Sequence, residues 1–142
     1  MEQDNLPSTL SSDTAEIDYY STEEIKEAAR YDLDIFAAIL IPTVAVSAFP
    51  PIYIELWGRL ISGAEDLTSL IRIVYALPRG HAKTTFIRLY ICWLIIYSEK
   101  KFIIVFSATQ RLTRATISTV ANILSKQGCI QIYGDWRENA TT

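Results

Sequence analysis

Histidine and cysteine are scarce in this chain of 142 residues, with one of the first, His81, and two of the second, Cys92 and Cys129. Two thiols cannot build a disulfide framework or a structural zinc site with three or four thiolate ligands. A single imidazole leaves little room for a Ser–His–Asp triad or for a His-based metal centre. Excess positive charge is also missing. Thirteen Lys and Arg stand against sixteen Asp and Glu, a formal net charge of -3. A strongly basic nucleic-acid module is therefore not expected, and any DNA contact needs a local patch. The chain opens on a polar, acidic stretch with neither the basic nor the apolar region of a signal peptide. These shortages together point to a reducing, intracellular setting. No internal repeat is visible.

What is present is apolar: 50% of residues are hydrophobic and 20% charged, enough for one folded domain with a modest core. The longest uncharged stretch, residues 35–54, has about the length of a membrane helix. It holds Pro42, Pro50 and Pro51, and proline inside a helix removes a hydrogen bond and clashes with the preceding turn. It reads as two shorter buried pieces broken near Pro42. The run 89–97 is too short to span. Stable membrane association is not expected, although a small membrane-associated protein built on these two runs is the competing reading from another class.

Three regions follow from the composition: a flexible acidic tail at 1–20, a mainly helical segment at 21–70, and a mixed region at 71–142. Ser21 with Glu24 is a capping-box signature, which predicts a helix running toward Ile41 with a break near Asp32. Pro51 suits the first position of another helix, whose Tyr53, Leu56, Trp57, Leu60 and Ile61 share an apolar face. Residues 62–69 read as a loop. The rhythm then changes. Residues 71–77 and 101–106 are β-branched and apolar runs expected to be strands, and 84–98 is apolar almost all round, as in a buried helix. Residues 110–126 return to helical spacing, with Gly128 as the expected stop. Strand, loop, helix, strand, helix is the pattern of a parallel sheet, so the expected class is α/β, with a right-handed crossover through 84–98.

The segment that carries chemistry is Leu-Pro-Arg-Gly-His-Ala-Lys-Thr-Thr, residues 77–85. It lies between an expected strand and an expected helix, the setting of a phosphate-binding loop, in which backbone amides and a helix N-terminus face phosphate oxygens. Lys83 would reach the β- and γ-phosphates and the Thr84 hydroxyl would hold Mg2+. Pro78, Arg79, Gly80, His81, Ala82 and Thr85 complete the loop. Against the pattern GxxxxGK[ST], Leu77 and Ala82 stand where glycines belong. Gly80 alone must supply the permissive backbone, and the Ala82 methyl is tolerable if its φ stays negative. The plainer alternative is a polar turn closed by Lys and Thr.

Four landmarks in order, IFAAILIPTV with FPPIYIELW, then LPRGHAKTT, then FIIVFSATQRLTRATI, then IYGDWR, resemble the N-terminal ATPase part of the large subunit of tailed-phage terminases, the DNA-packaging motor. The resemblance covers about residues 33–137. It implies a partial P-loop ATPase fold with a parallel sheet, preceded by the helical segment, and ATP and Mg2+ bound at Lys83 and Thr84. It implies that Arg79 senses or polarises the γ-phosphate in cis, a task its fork of donors suits, and that His81 is a loop filler. Implied partners are double-stranded DNA, the portal protein, the small terminase subunit and further copies of the chain, in the cytoplasm of an infected bacterial host. The family's adenine-pocket glutamine has no clear counterpart; Tyr53 stands in the stretch where it is sought. Ser107-Ala108-Thr109 reads as a small-residue turn at the sheet edge, and Arg111 and Arg114 as an exposed helix face or a contact to DNA or a neighbouring subunit. A Walker B run ending in acidic residues is not found after Thr109, since Gln131 and Gly134 break 129–135. The expectation is therefore an N-terminal piece that binds nucleotide weakly, does not turn it over and is prone to associate. A phosphate-binding module that never hydrolyses ATP is the remaining alternative.

Overall fold

The computed structural model describes residues 20–45, 47–66, 68, 72–74, 76–99 and 102–136. Among them are six helices: α1 (Thr22–Tyr31), α2 (Leu33–Leu40), α3 (Pro51–Glu65), α4 (Lys83–Tyr97), α5 (Gln110–Leu124) and α6 (Gln127–Tyr133). None of the described residues belongs to a strand. This overturns the expected α/β class and its parallel sheet: the described fold is all-helical.

The helix starts follow from side-chain chemistry. The Ser21 hydroxyl accepts from the Glu24 amide at 3.2 Å while the Glu24 carboxylate accepts from the Ser21 amide at 2.7 Å. That exchange holds the Glu24 pKa below its ordinary value, chiefly through the backbone bond. Asp32 ends α1 and begins α2, its carboxylate accepting from the amides of Asp34 and Ile35. The predicted break thus lies where one acidic side chain caps a new helix. Pro51 occupies the first turn of α3 as expected. The Asp34 carboxylate accepts from the Phe49 amide at 2.8 Å, which steers the chain into that proline pair. No helix among the described residues is long and apolar enough to cross a membrane.

Three boundaries differ from the sequence reading. α3 continues to Glu65, through the first part of the expected loop 62–69. α5 ends at Leu124, and Gly128 lies inside α6 rather than stopping α5. Gly128 lies against α2, where a Cβ would stand 3.4 Å from the Ile39 carbonyl oxygen, about van der Waals contact. Gly134, at φ +85, is the residue that ends α6. Thr109, expected at a sheet edge, instead caps α5 by accepting from the Leu112 amide. Ser107 supports that cap with its hydroxyl 2.6 Å from that of Thr113.

The expected strands have a physical explanation for their absence. Of 71–77, residues 71 and 75 lie outside the described set, and the described remainder is not helical and forms no ladder. Residue 101 of the second run also lies outside it. From 102 to 106 burial alternates, with Ile103 and Val105 half-buried and Phe102, Ile104 and Phe106 exposed. That period of two is the mark of an extended backbone. What is missing is a paired neighbour, and pairing is what makes an extended chain a strand.

The buried residues of all six helices form one core cluster. Its centre is aromatic. Trp57 packs on Phe36 at 5.7 Å between ring centroids, on Phe86 at 5.9 Å and on Trp93 at 6.4 Å. Trp93 donates its indole proton to the Arg30 carbonyl at 2.7 Å, and the Tyr97 hydroxyl donates to the Lys26 carbonyl at 2.8 Å. α1 is thereby tied to α4 by two polar tips on apolar bodies. Arg30 pairs with Glu65 at 2.9 Å, joining α1 to the end of α3.

Candidate functional site

Residues 77–82 form a largely exposed turn that runs directly into the first turn of α4, residues 83–85. Two of its residues have positive φ: Gly80 at 86° and Ala82 at 51°, ψ 21°. Ala82 is the N-cap of α4 and the only non-glycine with positive φ among the described residues. The condition set for an easily tolerated Ala82 methyl, a negative φ, is thus not met. An L-residue in the left-handed region costs roughly 1–2 kcal/mol, and such strain persists where the surroundings impose it.

Ala82 also has no side-chain oxygen to cap its helix, whereas Ser21, Asp32 and Thr109 cap α1, α2 and α5. The helical ladder of α4 begins with the Phe86 amide on the Ala82 carbonyl. The amides of Lys83, Thr84 and Thr85 precede it and point out of the helix end. Residues of positive φ stand on either side of His81, the kind of backbone from which anion-binding nests are built.

Lys83 is half-buried, and its ammonium is drawn under the loop. It donates to the Leu77 carbonyl at 2.6 Å and to the Pro78 carbonyl. An ammonium has three protons, so one remains for an outside acceptor. Thr84 is exposed and Thr85 half-buried in the first turn of α4. Pro78, Arg79 and Gly80 are exposed. The imidazole Nδ1 of His81 lies 3.3 Å from the Arg79 carbonyl oxygen; a carbonyl only accepts, so Nδ1 is the protonated nitrogen there. His81 therefore braces the loop.

Tyr53 stands in the stretch where a base-contacting residue was sought. It is buried, with its ring 4.9 Å from that of Phe86, and its hydroxyl donates to the His81 carbonyl. It anchors the loop to α3 instead of facing a nucleotide base. Burial raises its pKa. The signal was available: a tyrosine on the buried face of a helix needs a partner for its hydroxyl. Among the described residues no sheet stands behind the loop; α3 holds it through Tyr53 and α4 continues from it.

The geometry suits a phosphate better than a caged metal. The loop holds backbone amides, the Lys83 ammonium and the N-terminus of α4, groups of the kind that suit an anion. Among the described residues no group of three or more His, Cys, Asp or Glu side chains could hold a metal ion. A magnesium ion would rest on the Thr84 hydroxyl, phosphate oxygens and water, its usual preference. Arg111 and Arg114 lie on an exposed part of α5. Two cavities, of about 300 and 470 Å³, are lined by residues of α1, α3, α4, α5, α6 and the segments after α4 and α6, and by none of the loop. Comparison with protein families, curated proteins and solved structures gave no match.

Proposed function

We propose that residues 77–85 bind the phosphates of ATP and that the chain contributes this loop to a terminase-type, ATP-driven DNA-packaging motor. The observation that carries the reading is Ala82 in the left-handed conformation immediately before Lys83 at the start of α4. The phosphate-loop pattern asks for glycine at that position because the backbone there leaves the right-handed region. Here an alanine takes the conformation despite its cost. The amides of residues 83–85, the third proton of Lys83 and the positive end of α4 supply the binding. Arg79, exposed beside them, supplies a second cation for the outermost phosphate. The packaging role rests on the order of the four sequence landmarks, and the partners it implies are double-stranded DNA, the portal protein and the small terminase subunit, in the host cytoplasm.

Binding without turnover is the behaviour this arrangement supports. Hydrolysis needs a carboxylate on the metal and a group that orients the attacking water. Equilibrium binding of Mg-ATP to the whole chain tests the proposal. Wild type should bind, and Lys83→Ala should weaken binding by about tenfold or more, since a charge-assisted hydrogen bond is worth about 1.5–3 kcal/mol. Far-ultraviolet circular dichroism of the variant checks that its helices remain. Equal affinity in the two proteins, or no binding by the wild type, would overturn the reading.

A further inference from the structure

Lys83 and Arg88 are the charged side chains of α4. Lys83 is drawn under the loop; Arg88 has no such engagement. It is half-buried, and its Nε is buried without a hydrogen-bond partner among the described residues. The ion pairs among those residues belong to Lys26, Arg30 and Arg59. The sequence offers no carboxylate close by, because no Asp or Glu stands between Asp66 and Glu99. A guanidinium does not shed its proton, so burial cannot be relieved by neutralisation. A charge drawn out of water costs free energy unless it is paired, and an orphaned buried donor in a folded protein asks for an explanation, a bound ion among them.

The place of Arg88 in α4 shows which anion it can meet. Residues four apart on a helix share a face, so Arg88 stands on the face of Thr84. Helical side chains lean toward the N-terminus and cover the turn before their own. The separation is about 6 Å of helix rise, within the length of an arginine side chain. The guanidinium can therefore reach the exposed Thr84 hydroxyl at the mouth of α4. That is the spot where a magnesium ion would rest beside the phosphates. Magnesium is usually held by one or two carboxylates together with phosphate oxygens. Here the neighbour of Thr84 is a cation. It repels a metal ion at the same spot and offers phosphate oxygens a planar fork of donors.

We propose that Arg88 is a phosphate-binding residue of this site and that the chain holds the triphosphate of ATP without a metal. The proposal rests on the reading of residues 77–85 as the phosphate loop. It adds the class of ligand: the free, fully charged triphosphate in preference to its magnesium complex. Lys83, Arg79 and Arg88 then supply the positive charge that magnesium otherwise brings.

Equilibrium binding of ATP to the whole chain, once in EDTA and once in excess magnesium, tests this. Wild type should bind metal-free ATP at least as tightly as Mg-ATP. Arg88→Gln should lower the metal-free affinity about tenfold or more, the loss of a charge-assisted contact. Its affinity for Mg-ATP should fall less, because the metal can then sit beside Thr84. The preference for the metal-free form is thus expected to reverse in the variant, which a general loosening of α4 would not produce. Far-ultraviolet circular dichroism of the variant should match that of wild type. A wild type that binds Mg-ATP but releases ATP in EDTA would overturn the inference and leave the phosphate-loop reading standing. So would an Arg88→Gln chain that binds metal-free ATP as tightly as wild type. A wild type that binds neither form would overturn both.

Discussion

Ala82 is where backbone cost and proposed chemistry meet. Its φ of 51° places a methyl group in a region that favours glycine. Glycine would relieve that cost but would add freedom to the unfolded chain. The left-handed penalty is the larger of the two, so Ala82→Gly should stabilise the protein by about 0.5–1 kcal/mol. Urea unfolding of the two proteins checks this, and a destabilised variant would mean that the alanine is not strained. The sign could not be read from the sequence. Ala82 stood where the loop pattern has glycine, yet φ at that position depends on how α4 meets the turn.

At the scale of elements, what was legible depended on whether an element is stabilised locally. Helix ends were legible because caps lie within a few residues of each other: Ser21 with Glu24, Asp32 between two helices, Pro51 at a first turn. Extended segments were not, because a strand is completed by a neighbour that its own residues do not specify. The run 102–106 has a strand's composition and a strand's alternation, and still pairs with nothing among the described residues. The candidate loop lay between these cases. Its position before α4 was legible, while its anchor, the Tyr53 hydroxyl on the His81 carbonyl, joins residues far apart in sequence. Tyr53→Phe should keep the ring packing on Phe86 and lose that bond. A stability loss of about 1 kcal/mol is expected, together with weaker Mg-ATP binding as the loop loosens. Unchanged affinity would show that α4 alone positions the loop.

Across the whole molecule, the aromatic cluster of Phe36, Trp57, Phe86 and Trp93 joins α2, α3 and α4 into one core. The half-exposed Arg30–Glu65 pair adds little to that, as ion pairs near solvent usually do. Polar groups sit at the rim: the loop runs into α4 at Lys83, three residues before buried Phe86. A ligand held there is therefore carried by a rigid helix and felt by few other residues. The most direct test of the central claim is a backbone-amide NMR titration of the chain with Mg-ATP. The amides of Gly80, His81, Ala82, Lys83, Thr84 and Thr85 should shift together along one saturating curve, with the helices α1 and α2 unaffected. Saturable shifts confined to residues outside 77–85, or none at all, would contradict it.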